Sequence, residues 1–399
     1  MRAARLRRMA GVEDFRRAAR RRLPRIFADY IEGGASGEVT LAANTADFDR
    51  ILLRPRVLRD VSLRDLSATF LGARHALPLM LGPVGSLGLF RARAEAAAFR
   101  AAAAAGIPAC LSSFAVTRPE ALAPVVGEAA AFQLYMLKDR DRTEAMLDRV
   151  ARAGFGTLFV TVDTAVSGIR ERDIRNGLRQ MARPDLRMLA DFARHPRWLA
   201  DMARAHPLGM ALAEGWAEAG RGYLAQAGFL AGQIDPALDG PALSWRRDRW
   251  KGRLIVKGVQ APEDALDCAG RGADGIVVSN HGGRQLDGVR SSIAVLAPIA
   301  QALAGRIEVL FDGGVRRGGD VAKALALGAS ACLLGRAYVW GAAAAGEAGV
   351  RAVLAAFAAE LDATLALLGL RTVAELRDAG TDVLRLPADW GWRPAEAQD

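Results

Sequence analysis

Asp274-Gly-Ile-Val-Val-Ser-Asn-His-Gly-Gly-Arg-Gln-Leu-Asp287 is the stretch on which the reading of this chain turns. A short apolar run suits a strand buried on both faces, and a strand ending at Ser279 leaves His281 and Arg284 projecting from its C-terminal end. Gly282 and Gly283 let the backbone approach a ligand closely. Histidine can shuttle a proton near neutral pH, and an arginine three residues on can grip a carboxylate through two parallel hydrogen bonds. A lone loop histidine is more often merely solvated. Here His75 precedes the first strand, and His195 and His206 fall in a long insertion, so only His281 stands at a strand's C-terminal end.

Outward from this segment the same pattern repeats: Leu79–Leu81, Ala109–Leu111, Phe132–Leu134, Leu158–Val162, Leu254–Val256, Ile276–Val278, Val309–Phe311 and Cys332–Leu334, each followed by turn residues and then a helical pattern. Eight strands alternating with helices, joined by right-handed crossovers, imply parallel pairing and a closed (β/α)8, or TIM, barrel. The rival, an open doubly wound sheet, would leave exposed edges and lacks a GxGxxG after the first strand. The spacing predicts one α/β domain over 1–399: an N-terminal helical cap over 10–75, the barrel over 76–344, and C-terminal helices and a tail over 345–399 that includes Trp390 and Trp392. About 95 residues separate the fourth and fifth runs, which places an insertion over 176–244, after strand four and beside the face where barrels do chemistry.

Two further rim constellations follow. Asp312-Gly-Gly-Val-Arg-Arg-Gly-Gly-Asp320 after strand seven, with Gly335-Arg336 after strand eight, combines glycine turns, a helix N-terminus near Asp320 and arginines into a dianion cradle where barrels bind phosphate. Gln133 and Tyr135 at strand three, Thr161 and Asp163 ending strand four, Arg170 beyond it and Lys257 ending strand five put further polar groups on the same rim. Asp163 is placed to orient and charge-stabilise an imidazole, and Lys257 to neutralise negative charge on a reduced cofactor ring.

These residues resemble the FMN-dependent 2-hydroxy-acid dehydrogenase and oxidase family. The resemblance runs from Leu23-Pro-Arg-Ile-Phe-Ala-Asp-Tyr-Ile-Glu-Gly-Gly-Ala35 to the C-terminal helix, and Ser279-Asn-His-Gly-Gly-Arg-Gln-Leu-Asp287 is specific to it. It implies His281 as base, paired with Asp163, and Arg284 and Tyr30 as carboxylate clamp, with Tyr135 and Arg170 as further substrate contacts. It implies an FMN site at Pro83, Val84, Gly85, Ser112, Gln133, Thr161, Lys257 and Ser279, with the phosphate at Asp312, Gly313, Gly314, Arg316, Gly335 and Arg336. Proton removal from the hydroxyl with hydride transfer, or from the carbon to give a carbanion, are both compatible with these groups. Gly85, where the family's oxidases carry alanine, and Phe114, in place of a tryptophan of the glycolate oxidases, favour a dehydrogenase with room for a bulky side chain. Gly168-Ile-Arg-Glu-Arg-Asp173 and Glu32-Gly-Gly-Ala35 look most like the bacterial mandelate dehydrogenase branch, with bacterial lactate dehydrogenase next. The family also implies a homo-oligomer, commonly a tetramer.

Bulk properties limit the alternatives. The net charge of +10 is concentrated in residues 1–25, where ten arginines face Glu13 and Asp14, so it does not mark a nucleic-acid protein. That head lacks the apolar core of a signal peptide, Met9 offers an alternative first residue, and no long apolar run spans a bilayer, so a cytoplasmic protein is expected. The three cysteines fit neither a disulfide framework nor a metal site. No haem or iron–sulfur ligand set is present, so electrons must leave to an external acceptor. Between Arg175 and Arg204 seven arginines (175, 179, 183, 187, 194, 197, 204) interleave with Met181, Leu186, Met188, Leu189, Phe192, Trp198, Leu199 and Met202. This basic amphipathic composition predicts peripheral contact with the inner face of the membrane, and a quinone as the acceptor, against the alternative of a lid packed on its own barrel. A non-redox phosphate-binding barrel would be colourless, and a barrel that kept only an interaction role would lack its base or clamp.

Overall fold

The structure, a computed structural model, describes residues 3–126, 130–178, 184–205 and 209–391. The eight apolar runs form eight parallel strands: β1 Leu79–Leu81, β2 Cys110–Ser112, β3 Ala131–Leu134, β4 Thr157–Thr161, β5 Arg253–Val259, β6 Gly275–Val278, β7 Glu308–Phe311 and β8 Ala331–Leu334. They hydrogen-bond in the order β1-β8-β7-β6-β5-β4-β3-β2. A single bridge, Leu81 to Ala109, with the Leu81 amide 3.0 Å from the Pro108 carbonyl, joins β1 to the start of β2 and closes the (β/α)8 barrel. Side chains such as Phe132, Phe159 and Phe311 are fully buried, as a strand covered on both faces requires.

The N-terminal cap is helical over Val12–Arg22, Arg25–Glu32 and Val39–Arg50. It ends earlier than the sequence pattern suggests. Leu52–Leu53 instead pairs antiparallel with Leu384–Arg385, and Ala68–Phe70 forms a hairpin with Ala73–His75. The Leu71 amide donates to Glu308, the first residue of β7, so this hairpin lies at the N-terminal end of the barrel, away from the chemistry. His75 is buried in that hairpin.

The insertion after β4 carries helices Leu186–Ala193, Pro196–Ala203 and Tyr223–Gln233. Its expected end at residue 244 falls inside helix Gly240–Arg249, whose Arg246 pairs with Glu144 of helix Arg140–Arg152; that helix is part of the barrel's outer ring. The amphipathic stretch divides. Phe192 and Trp198 stack with Phe27 of the cap, at centroid distances of 6.3 and 5.1 Å, and Met188 and Met202 pack on the same core. Leu186, Leu189 and Leu199 stay exposed beside the exposed Arg187, Arg194, Arg197 and Arg204. His195 bonds within the insertion to the Asp191 carbonyl. Arg179, Met181, Arg183, His206 and Trp392 lie outside the described residues. Among the described residues no helix is long and apolar enough to cross a membrane, and no group of three His, Cys, Asp or Glu side chains could hold a metal.

Candidate active site

β6 ends at Val278, one residue before the expected Ser279, and the chain turns through three successive left-handed residues: His281 (φ 57°), Gly282 (66°) and Gly283 (74°). Glycine is required at 283, because a β-carbon there would lie 2.6 Å from the Leu41 amide nitrogen of the cap. For a histidine this conformation is strained by about 1–2 kcal/mol, and it persists because its surroundings fix it. The His281 amide donates to Ser279 Oγ (3.1 Å), and the Asn280 side chain accepts from the Gly283 amide while bonding Asn44 of the cap. Gln285 ties the same loop to the segment after β4 through the carbonyls of Asp163 and Val166.

The strain aims the imidazole inward. Nδ1–H donates to Asp163 Oδ1 at 2.9 Å, and the Tyr135 hydroxyl lies 3.4 Å from Nε2. With Nδ1 engaged as donor, Nε2 is the atom free to accept a proton. Burial pushes the Asp163 carboxyl up, but the charge of a protonated His281, its hydrogen bond and Lys257 outweigh this and hold it below the usual aspartate value. Burial, reinforced by Asp163, drives the Tyr135 hydroxyl upward, so it remains a donor. Lys257 Nζ lies 2.9 Å from both Asp312 and Ser279 Oγ; burial opposes its charge, yet Asp312 and Asp163 raise it above the ordinary lysine value.

Around this pair lie four arginines. Arg284 donates to the carbonyls of Tyr30 (2.7 Å) and Gly33 (2.9 Å), with its guanidinium 4.8 Å from the Tyr30 ring. Burial, then the neighbouring Arg170, pushes Arg284 down to about 10, and burial does the same to Arg316. Arg336 is lowered further by burial and by the other arginines, and the buried Nε of Arg170 has no hydrogen-bond partner. Cations lowered by burial, and in Arg284 and Arg336 also by neighbouring arginines, call for anions.

A cavity of about 310 Å³ joins these groups. Of the sequence-predicted residues, Tyr30, Pro83, Val84, Gly85, Ser112, Gln133, Tyr135, Thr161, Arg170, Lys257, His281, Arg284, Asp312, Gly313, Gly314, Arg316, Gly335 and Arg336 line it; Asp163 and Ser279 stand just behind, bonded to His281 and Lys257. Two details differ from the cradle drawn from sequence. The amides of Arg316 and Arg317, at the start of helix Gly318–Ala326, are taken by Asp320. Arg336 gives three of its five N–H donors to the carbonyls of Ile31, Gly33 and Gly282, tying cap to barrel and leaving two for a ligand. Arg316, whose Nη1 reaches only its neighbour's carbonyl, is left with donors for a ligand beside the left-handed Gly313 and Gly314. Sequence reasoning passed over Phe90, Val339, Ala231 and Ile234, which also line the cavity; the last two come from the insertion, where no motif signals them.

The cavity suits FMN by its own chemistry. Ser112 Oγ donates to Gln133 Oε1, which leaves Gln133 Nε2 buried without a partner, and Thr161 Oγ1 is likewise unpaired. Buried polar atoms of this kind await a ligand or water. An apolar floor, two orphaned polar groups, a charged lysine and a cationic glycine turn accommodate a polar ring system with a phosphate tail.

Fold and site together define a (β/α)8 barrel whose cavity suits a phosphorylated cofactor. The model of the FMN-dependent dehydrogenase family matches residues 19–382, and the chain belongs to that family, with FMN as its cofactor. It is 47% identical over 376 residues to an L-lactate dehydrogenase of Caulobacter vibrioides, covering 93% of this chain and 97% of that protein. It superposes on a crystal structure of a monotopic membrane protein, (S)-mandelate dehydrogenase, with a TM-score of 0.91 at 39% identity, covering 95% of this chain and 100% of that one. A mandelate oxidase structure follows at TM-score 0.80 and 36% identity, covering 94% and 98%.

Proposed function

We propose that the protein oxidises an (S)-2-hydroxy acid, lactate or a mandelate-like acid, to the 2-oxo acid, and that His281 is the base. The observation that carries this is the Asp163–His281 pair opening onto the same cavity as the mutually repelling Arg284 and Arg170. Bound FMN supplies the two-electron acceptor. Pro83, Val84, Gly85, Ser112, Gln133, Thr161, Lys257 and Ser279 would hold its ring and ribityl chain, and Asp312, Gly313, Gly314, Arg316, Gly335 and Arg336 its phosphate. Arg284 and Arg170, with Tyr30, take the substrate carboxylate and restore the missing negative charge. His281 Nε2 then receives the proton, while Asp163 stabilises the imidazolium from the other side. Tyr135, protonated throughout, donates to a substrate oxygen.

Gly85 and Phe114 favour a bulky or aromatic side chain over glycolate, with graded discrimination, since a methyl or ring contact is worth only about 1–3 kcal/mol. The acceptor is a membrane quinone reached by peripheral contact, in support of which stand the exposed Leu186, Leu189 and Leu199 among Arg187, Arg194, Arg197 and Arg204. The similar (S)-mandelate dehydrogenase is described as monotopic. The test is a steady-state comparison of lactate, mandelate, phenyllactate and glycolate, with an artificial acceptor and with O2, beside sedimentation with anionic vesicles at low salt. Flavin absorbance that bleaches with mandelate or lactate, slow peroxide formation and vesicle binding are expected. Rapid glycolate-driven peroxide release would instead make the protein an oxidase, and failure to co-sediment would remove the membrane contact.

A further inference from the structure

Between residues 209 and 235 the insertion builds a small apolar core of its own, in which Met210, Ala213, Ala219 and Leu230 are buried against Phe114. Helix Tyr223–Gln233 runs through it, and Ala231 and Ile234 at its C-terminal end line the cavity. That end is fastened to the loop leaving β3: Lys138 donates its amide to Gln233 and its ammonium to Gly232, the Asp235 amide donates to the Met136 carbonyl, and Asp235 pairs with Arg140. Tyr135 is the first residue of that loop.

The other end reaches the loop leaving β1. The Tyr223 hydroxyl is hydrogen-bonded to Ser86 Oγ. Ser86 is buried and left-handed (φ 62°), and its amide donates to the Phe114 carbonyl at 2.8 Å. It follows Gly85, the residue whose added β-carbon would stand 2.8 Å from Phe114. From below, the same loop and the segment after Phe114 are gathered by the buried Glu95, which accepts from the amides of Gly88 and Val116 and from the Thr117 hydroxyl. Ser86 is thus the junction at which floor, cavity wall and roof helix meet. A serine in this strained conformation stays there only if its bonds hold it.

We propose that Tyr223 is a positioning residue: through Ser86 its hydroxyl pins the roof helix across the cavity mouth and fixes Gly85 and Phe114 at the spacing that seats the substrate side chain. The proposal rests on the reading of the cavity as a hydroxy-acid site. Removing the hydroxyl loosens the N-terminal end of the roof, which keeps its apolar packing and the bond from the Met210 amide to Gln226, while its far end stays clamped. The substrate then meets a mouth that must be closed at its own expense, which raises KM and leaves the chemical groups untouched.

The test compares parent, Tyr223→Phe, Ser86→Ala and the double variant. With mandelate and an artificial acceptor, each single variant should raise KM at least fivefold with kcat within twofold and FMN content unchanged, and the double variant should add nothing further, since both remove one bond. A second readout is independent of turnover: trypsin cleavage after the exposed Arg221, followed by mass spectrometry, should accelerate at least fivefold in both single variants. Unchanged KM in Tyr223→Phe, with or without faster cleavage, overturns the positioning role, as do additive effects in the double variant. If the parent itself fails to bleach with any hydroxy acid, the functional reading has failed, and unaltered cleavage at Arg221 would then independently remove the pin.

Discussion

Replacing Asp163 by asparagine removes one charge and almost no volume, so its effect can be worked from the geometry. Asp163 Oδ1 and His281 Nδ1 are 2.9 Å apart, which puts the centres of the two charges about 4 Å apart. At an effective dielectric near 20, attraction between full charges at that distance is about 4 kcal/mol. Asparagine can still offer an acceptor oxygen, which retains about 1 kcal/mol of hydrogen bonding. The imidazolium, formed as the proton transfers, therefore loses about 3 kcal/mol, and at 1.36 kcal/mol per decade this is roughly a hundredfold in rate. If the amide turns its NH2 toward Nδ1 instead, Nε2 carries the proton in the resting state and the loss is larger. The assay is anaerobic rapid mixing with hydroxy acid, following flavin bleaching, in protein whose FMN content matches the parent. Bleaching within threefold of the parent rate would falsify the claim that Asp163 stabilises the protonated base.

His281→Gln should retain FMN, because the cationic glycine turn is untouched, and lose bleaching by several orders of magnitude; turnover within about tenfold of the parent would remove His281 from the mechanism. In Gly85→Ala the new methyl must displace Phe114, whose Cβ would be 2.8 Å away, so activity with mandelate should fall several-fold relative to lactate, and an unchanged ratio would show that Phe114 does not bound the side-chain pocket. Glu95 is fully buried and desolvation raises its carboxyl above the usual glutamate value of 4.5, so the folded state holds its proton more tightly than the unfolded one. The stability this gives is complete below about pH 4.5 and is lost as pH climbs through the raised value. Glu95→Gln should therefore gain on the parent in melting temperature from pH 5 to pH 8, and a constant difference across that range would mean that Glu95 does not titrate as its burial implies.

Much of the site was legible because most of its chemical groups lie at or shortly after the end of an apolar run. Leu79–Leu81 is a strand at the bounds the sequence suggests, and Leu158–Val162 and Ala109–Leu111 are off by one residue, a slip that leaves Thr161, Asp163 and Ser112 at the rim. What stayed hidden depends on contacts distant in sequence. Residues 52–53 pair with 384–385, and nothing local announces this. The basic amphipathic stretch has one periodicity but two destinations, since Phe27 of the cap captures Phe192 and Trp198 while Leu186 and Leu199 face outward. Arg336 reads as a phosphate ligand from its place after β8, and nothing in its motif shows that the cap carbonyls of Ile31 and Gly33, with that of Gly282, take three of its five donors.

That last arrangement bears on how the protein is made. Arg336 closes on Ile31 and Gly33 across some 300 residues of chain, and β1 finds one of its two partners only when β8 emerges. Contacts of such sequence separation form late in folding. A chain still on the ribosome therefore carries a cap with no rim to sit on and a sheet open along β1, and it has no enclosed space for a flavin. A polypeptide cut short anywhere before Arg336 inherits the same gap. Competence for electron transfer thus waits on the emergence of β8 and Arg336, and chains terminated before them are born without it.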